Sequence, residues 1–181
     1  MVTIFVEGRA EQNLLGRLLA DLPAAANVRV IAAGNADDAR PRARKELLFH
    51  RRPALLVIDA DSVDADRVEQ QQRELEAYLA WGANGLPYQV VQFVPTMEAV
   101  FFDTPDVLEH LVGRKVDELM LAAGEIAPRA VLQRIGVPDV EARLERLTGD
   151  DIRKLRGHPT IAAIREFVQA HAEPEPLRRT A

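Results

Sequence analysis

Five acidic residues stand where short apolar runs end: Glu7, Glu11, Asp59, Asp61 and Glu98. Glu7 follows Val2–Val6 directly, and Asp59 closes the run from Ala54 to Ile58. Asp61 lies two residues beyond Asp59, so in extended backbone the two aspartates point the same way. Glu11 comes four residues after Glu7, within a first helical turn, and Glu98 follows the run from Tyr88 to Val94. Carboxylates crowded within several ångströms raise one another's pKa and cost free energy unless something neutralises them. A divalent cation is the simplest remedy. These segments hold no Cys or His, and an all-oxygen donor set favours Mg2+ or Mn2+ over zinc. A cluster of this size could support two ions, the arrangement that activates water and steadies the leaving oxygen in phosphodiester cleavage. The plain alternative is that acids at strand ends act as helix N-caps or solvated loop residues.

Such a cluster needs a sheet edge to gather it. Val2–Val6, Val28–Ala33, Ala54–Ile58 and Tyr88–Val94 read as four strands, with Ala54–Ile58 continuously apolar as a strand covered on both faces should be. Between them, Leu14, Leu15, Leu18, Leu19 and Leu22 recur at helical spacing before Pro23. A second helix runs from Asp37 or Asp38 to about His50, and a third from about Asp64 to Trp81, with Gly82 and Gly85 beyond its end. Strands alternating with helices of this length specify a doubly wound, Rossmann-like α/β sheet, four-stranded and parallel. In strand order 2-1-3-4, strands one and three are neighbours whose connections leave to opposite faces. That opens a crevice at their carboxyl ends, where Glu7, Asp59 and Asp61 meet, with Glu11 looking back at it and Glu98 overhanging it.

After Pro95 the apolar positions follow helical spacing only. Helices are expected near 105–112, 114–124, 128–135, 139–147, 150–156 and 160–171. The chain therefore divides into an α/β domain over 1–100, an all-helical annex over 101–172 and a flexible tail over 173–181.

Composition narrows the classes. In 181 residues there is no Cys, which excludes disulfides, thiolate metal sites and a Cys nucleophile. No apolar run approaches the roughly 20 residues that cross a bilayer. The opening Met1–Val6 lacks a basic leader, so the expected compartment is cytoplasmic. A net charge of −5 argues against a basic coat for nucleic acid, yet six of the 23 basic residues cluster between Arg40 and Arg52 against one acid, Glu46. Such a cluster could hold phosphates near the acidic edge, although a solvated helix face plus a loop is the ordinary explanation. His50, His110 and His171 show no ligand spacing, and His158 before Pro159 reads as a helix-starting turn. Trp81 and Tyr88 flank a glycine-containing turn and are expected to pack under it.

Val6-Glu7-Gly8-Arg9-Ala10-Glu11, followed by a Leu-rich helix and by Leu56-Val57-Ile58-Asp59-Ala60-Asp61, resembles the Toprim domain of topoisomerases, bacterial primases, repair proteins and the overcoming-lysogenization-defect (OLD) nucleases. The pattern is a Glu after the first strand and a DxD after the third. The second acid, Glu11, is similar to the OLD-type version, which the resemblance links to two-metal nucleases; Thr96 and Glu98 resemble that subgroup's hydroxyl residue and acid. Topoisomerase-like members carry a further Asp two beyond the DxD, where this chain has Val63. The likeness covers about residues 2–100 and implies a Mg2+- or Mn2+-dependent nuclease, or nuclease subunit, acting on DNA or RNA. In it Glu7, Asp59 and Asp61 would hold the principal metal, and Glu11 and Glu98 would hold or orient a second. OLD-type nucleases also carry a later basic residue, for which Lys115 or Lys154 are the candidates. No GxxxxGK[ST] loop is present, so any ATPase would be a separate chain; a homo-oligomer is compatible with the apolar annex. The rival readings are a non-catalytic Toprim-like module that binds nucleic acid or an ATPase partner, and a phospho-accepting receiver domain. The latter would need an acidic pair after strand one and a Lys after a fifth strand.

Overall fold

The computed structural model describes residues 1–137, 139 and 141–172; the expected tail over 173–181 lies outside the described residues. Four strands, β1 (Val2–Val6), β2 (Val28–Ala32), β3 (Ala54–Asp59) and β4 (Tyr88–Phe93), form a parallel sheet in the order β2-β1-β3-β4. All residues of β1 and β3 are buried, as central strands covered on both faces require, whereas β2 and β4 at the margins are partly exposed. The expected α/β architecture and strand order are those of the structure.

Each connection is a helix with a readable start. In α1 (Arg9–Leu19), Leu14, Leu15, Leu18 and Leu19 form the buried stripe. Helix α2 (Ala36–Lys45) begins at Asn35, whose side chain accepts from the Asp38 N–H, and runs into a single π-helical turn over Glu46–His50. Helix α3 (Ala65–Ala83) begins at Asp64, whose carboxylate accepts from the Asp66 and Arg67 N–H groups. It continues past Trp81, where the sequence places its end. Gly82 lies inside the last turn because a Cβ there would come 2.9 Å from Arg44 Cγ and 3.3 Å from Leu48 Cγ; glycine lets α3 close onto the chain after α2.

After β4 the described elements are all helices, the segment expected as an annex over 101–172 among them: α4 (Ala99–Phe102), α5 (Pro105–Val112), α6 (Glu118–Ile126), α7 (Pro128–Arg134), α8 (Glu141–Leu144), α9 (Gly149–Leu155) and α10 (Pro159–His171). Helix α6 starts later than 114 because Asp117 caps it, accepting from the Met120 N–H at 2.8 Å. His158 begins α10, its Nδ1 accepting from the Thr160 N–H and its Nε2 pairing with Asp103 at 2.9 Å. One sheet face packs on α2 and α3 through Ala39, Ala43, Leu47, Leu75 and Leu79. The other packs on α1 and then passes without interruption into the annex through Phe101, Leu108, Leu155, Ile161 and Ile164. Arginines fasten the two parts together: Arg17 donates to the Leu144 and Leu147 carbonyls, and Arg156 Nε donates to the Leu18 carbonyl at 3.1 Å. Those bonds reach carbonyls in the last turn of α1 and at and just beyond the end of α8. Among the described residues no helix is long and apolar enough to cross a membrane.

Candidate functional site

Because β1 and β3 pair in parallel with Phe5 opposite Leu56, their chains leave the sheet side by side. Glu7, half-buried, turns across this gap, and its Oε1 accepts from the Asp59 N–H at 2.8 Å. Glu11 reaches back over the start of α1, where its Oε2 accepts from the Gly8 N–H at 3.0 Å. A Cβ on Gly8 would stand 2.9 Å from that oxygen, so glycine makes room for the carboxylate. Asp59 is 4% exposed, and its Oδ1 accepts from the Met97 N–H at 2.9 Å. The turn after β4 brings in Glu98, whose Oε2 accepts from the Thr96 hydroxyl at 2.6 Å.

Asp61 departs from its expected placement. The extended backbone stops at Asp59, and Asp61 adopts a left-handed φ of 52° while its N–H donates to the Pro95 carbonyl at 2.9 Å. It is exposed rather than paired with Asp59 on one strand face. Its charge nonetheless acts on Glu7, and thus it borders the cluster.

A residue that local spacing does not reveal completes the site. Arg129, second in α7, donates from Nη2 to Asp59 Oδ2 at 2.5 Å and from Nε to Glu98 Oε1 at 3.1 Å. Two of the five acids pair with this guanidinium, and the acids outnumber it. Burial pushes the Asp59 carboxyl up to about 8; Arg129 opposes the shift, and the Glu98 and Glu11 charges add to it. Glu7 is raised chiefly by burial, with the Asp59 N–H opposing and Asp61 and Glu11 reinforcing. Burial disfavours the Arg129 charge, but Glu98, Asp59 and Asp61 outweigh it and hold the guanidinium more firmly protonated. Beside it an open depression of about 620 Å3 is lined by Ala10, Glu98, Arg129 and Gln133.

In donor chemistry the cluster fits a hard divalent ion: every side chain is a carboxylate and their charge exceeds that of the one cation present. In placement Arg129 takes the position between Asp59 and Glu98. Among the described residues, no group of three acids or histidines is arranged to hold a metal. Lys115 and Lys154 lie elsewhere: Lys115 pairs with Glu109 at 2.8 Å, and Lys154 with Asp106 at 3.0 Å. The basic segment 40–52 also leaves this edge. Helix α2 starts beside the carboxyl end of β2, and its π-helical extension delivers the chain to the amino end of β3, about 20 Å away at helical rise.

Neither a family model nor a curated relative matches the sequence. Solved structures do match the fold. The C-terminal region of the Burkholderia pseudomallei OLD protein is 17% identical, with 93% of this chain and 96% of that chain covered and a TM-score of 0.55. The C-terminal region of the Xanthomonas campestris pv. campestris OLD protein is 16% identical, with 93% and 94% covered and a TM-score of 0.51.

Proposed function

Starting from the OLD-like Toprim fold that this chain carries, we propose that it is a divalent-metal-dependent nuclease, or nuclease subunit, hydrolysing phosphodiester bonds of DNA or RNA. The observation that carries this reading is the convergence of Glu7, Glu11, Asp59 and Glu98, bordered by Asp61, where β1 and β3 end side by side. Glu7, Asp59 and Asp61 would hold a principal Mg2+ or Mn2+, and Glu11 and Glu98 would hold or orient a second. Such ions supply an activated water and neutralise charge on the phosphate. The chain's own part is positioning. The Met97 N–H orients Asp59, the Gly8 N–H holds Glu11, and the Thr96 hydroxyl holds Glu98. Arg129, more than half exposed, would exchange its acids for phosphate oxygens, which its planar fork matches equally well.

The seated Arg129 favours a second reading, a non-catalytic Toprim-like module that binds nucleic acid or a separate ATPase. One experiment separates the two. Purified protein is incubated with supercoiled plasmid and Mn2+, and ion binding is followed by electron paramagnetic resonance. Cleavage that disappears in Asp59→Ala supports the nuclease; cleavage that survives Asp59→Ala removes it. Absence of both ion binding and cleavage, with the plasmid still retained by the protein, supports the second reading.

A further inference from the structure

Five of the six phenylalanines are buried, but Phe49 is 72% exposed and the only tryptophan, Trp81, is 79% exposed. The packing expected for Trp81 under its turn does not occur. Full burial of side chains this large is worth roughly 2–3 kcal/mol each, so two left in water on adjoining elements call for a partner. Their two elements meet at Leu48 and Gly82, where a Cβ on Gly82 would stand 3.3 Å from Leu48 Cγ; Phe49 follows the first and Trp81 precedes the second. Phe49 sits in the π-helical turn, a rare element that recurs at functional sites, and Arg51 in left-handed backbone (φ 53°) ends it.

Charge decides what kind of partner suits this surface. Arg42, Lys45 and Arg51 are exposed on the same segment as Phe49. The one acid of the segment, Glu46, is buried and engaged by the Thr3 hydroxyl at 2.8 Å, by Arg52 at 3.7 Å and by His50 Nε2 at 4.0 Å. On α3 the nearest acid, Glu76, lies more than a turn before Trp81. Exposed rings on elements whose Arg42, Lys45 and Arg51 have no acidic partner among the described residues match a polymer with flat bases and a phosphate on every unit, and stacking requires bases that are not already paired. An apolar protein groove would instead leave these cations desolvated without partners.

We propose that this amino-edge surface binds single-stranded nucleic acid, with bases stacking on Trp81 and Phe49 and phosphates facing Arg42, Lys45 and Arg51. The inference extends the nucleic-acid reading above to a second contact. It does not depend on cleavage, so Asp59→Ala ends hydrolysis and leaves this binding intact.

As the sole tryptophan, Trp81 reports directly. The full chain in EDTA and low salt is titrated with a labelled oligothymidine of about 15 nucleotides, following Trp81 emission and oligonucleotide anisotropy together. The expected result is saturable quenching that weakens steeply with salt. Phe49→Ala and Arg51→Glu should each raise the apparent Kd roughly tenfold, and Trp81→Ala should do the same by anisotropy. Binding that leaves Trp81 emission unchanged and tolerates Phe49→Ala places the polymer elsewhere and overturns the proposal. So does the absence of binding at low salt. Emission that shifts with protein concentration alone assigns the face to a second copy of the chain, with the same consequence.

Discussion

At the carboxyl edge of the sheet, Glu7, Glu11, Asp59 and Glu98 each give at least one oxygen to a protein donor, and Asp59 is almost wholly enclosed. At the amino edge the pattern inverts: Phe49 and Trp81 stay in water, while the one carboxylate nearby is withdrawn. One edge thus buries charge and the other exposes apolar surface, both against the ordinary direction of folding. Both depend on a glycine at a close approach. Gly8 admits the Glu11 carboxylate, and Gly82 admits the Arg44 and Leu48 side chains. What the contrast teaches is that the two edges are specialised by opposite departures from good packing, each fixed by an absent Cβ.

The contrast can be broken or sharpened by substitution. The largest effect is expected from Asp59→Ala, which should reduce Mn2+-dependent plasmid nicking on the order of a hundredfold or more, measured by initial rates. Next comes Arg129→Ala. In EDTA it leaves the acids without their cation, and thermal melting should show a loss of about 2 kcal/mol, discounted for the exposure of Arg129. Mn2+ should then raise the melting temperature of the variant more than that of the parent; an equal response in both would break the view that arginine and metal compete for one place. Smaller changes, about 1 kcal/mol by urea denaturation, are expected for Gly8→Ala, which displaces Glu11 from the α1 cap, and for Gly82→Ala, which crowds the Arg44 carbonyl at 3.2 Å. Phe49→Ala and Trp81→Ala should fall within about 0.5 kcal/mol of the parent, because both rings already stand in water. A larger loss would make the amino edge part of the core.

The sheet was legible in the sequence because its central strands are short, apolar and punctuated, and burial on both faces leaves few other uses for such runs. Glu7 and Asp59 followed from that, since neighbouring parallel strands end together. Asp61 did not, because a left-handed turn at one residue redirects a side chain that extended spacing would aim elsewhere. Arg129 carried no local signal: it stands 31 positions from Glu98 and 70 from Asp59, in a short helix whose placement depends on tertiary packing. Lys115 and Lys154 have the right charge, but acids away from the site hold them: Glu109 of α5 pairs with Lys115 in the loop that follows, and Asp106 of α5 and Asp150 of α9 pair with Lys154. Trp81 was misplaced for a related reason. Helix spacing predicts which residues share a face, but not whether a neighbouring element arrives to cover them.

Strand β4 forms one margin of the sheet, and its buried Val91 and Phe93 belong to the core face on which α10 packs. That helix is the last described element of the chain, ending at His171. During synthesis, then, the outer strand waits for its cover until the residues of α10, about 80 positions further on, have been made. A chain shortened to its strand-bearing half would hold those side chains bare. Sheet and helices are therefore expected to melt as one cooperative unit, in a single calorimetric transition.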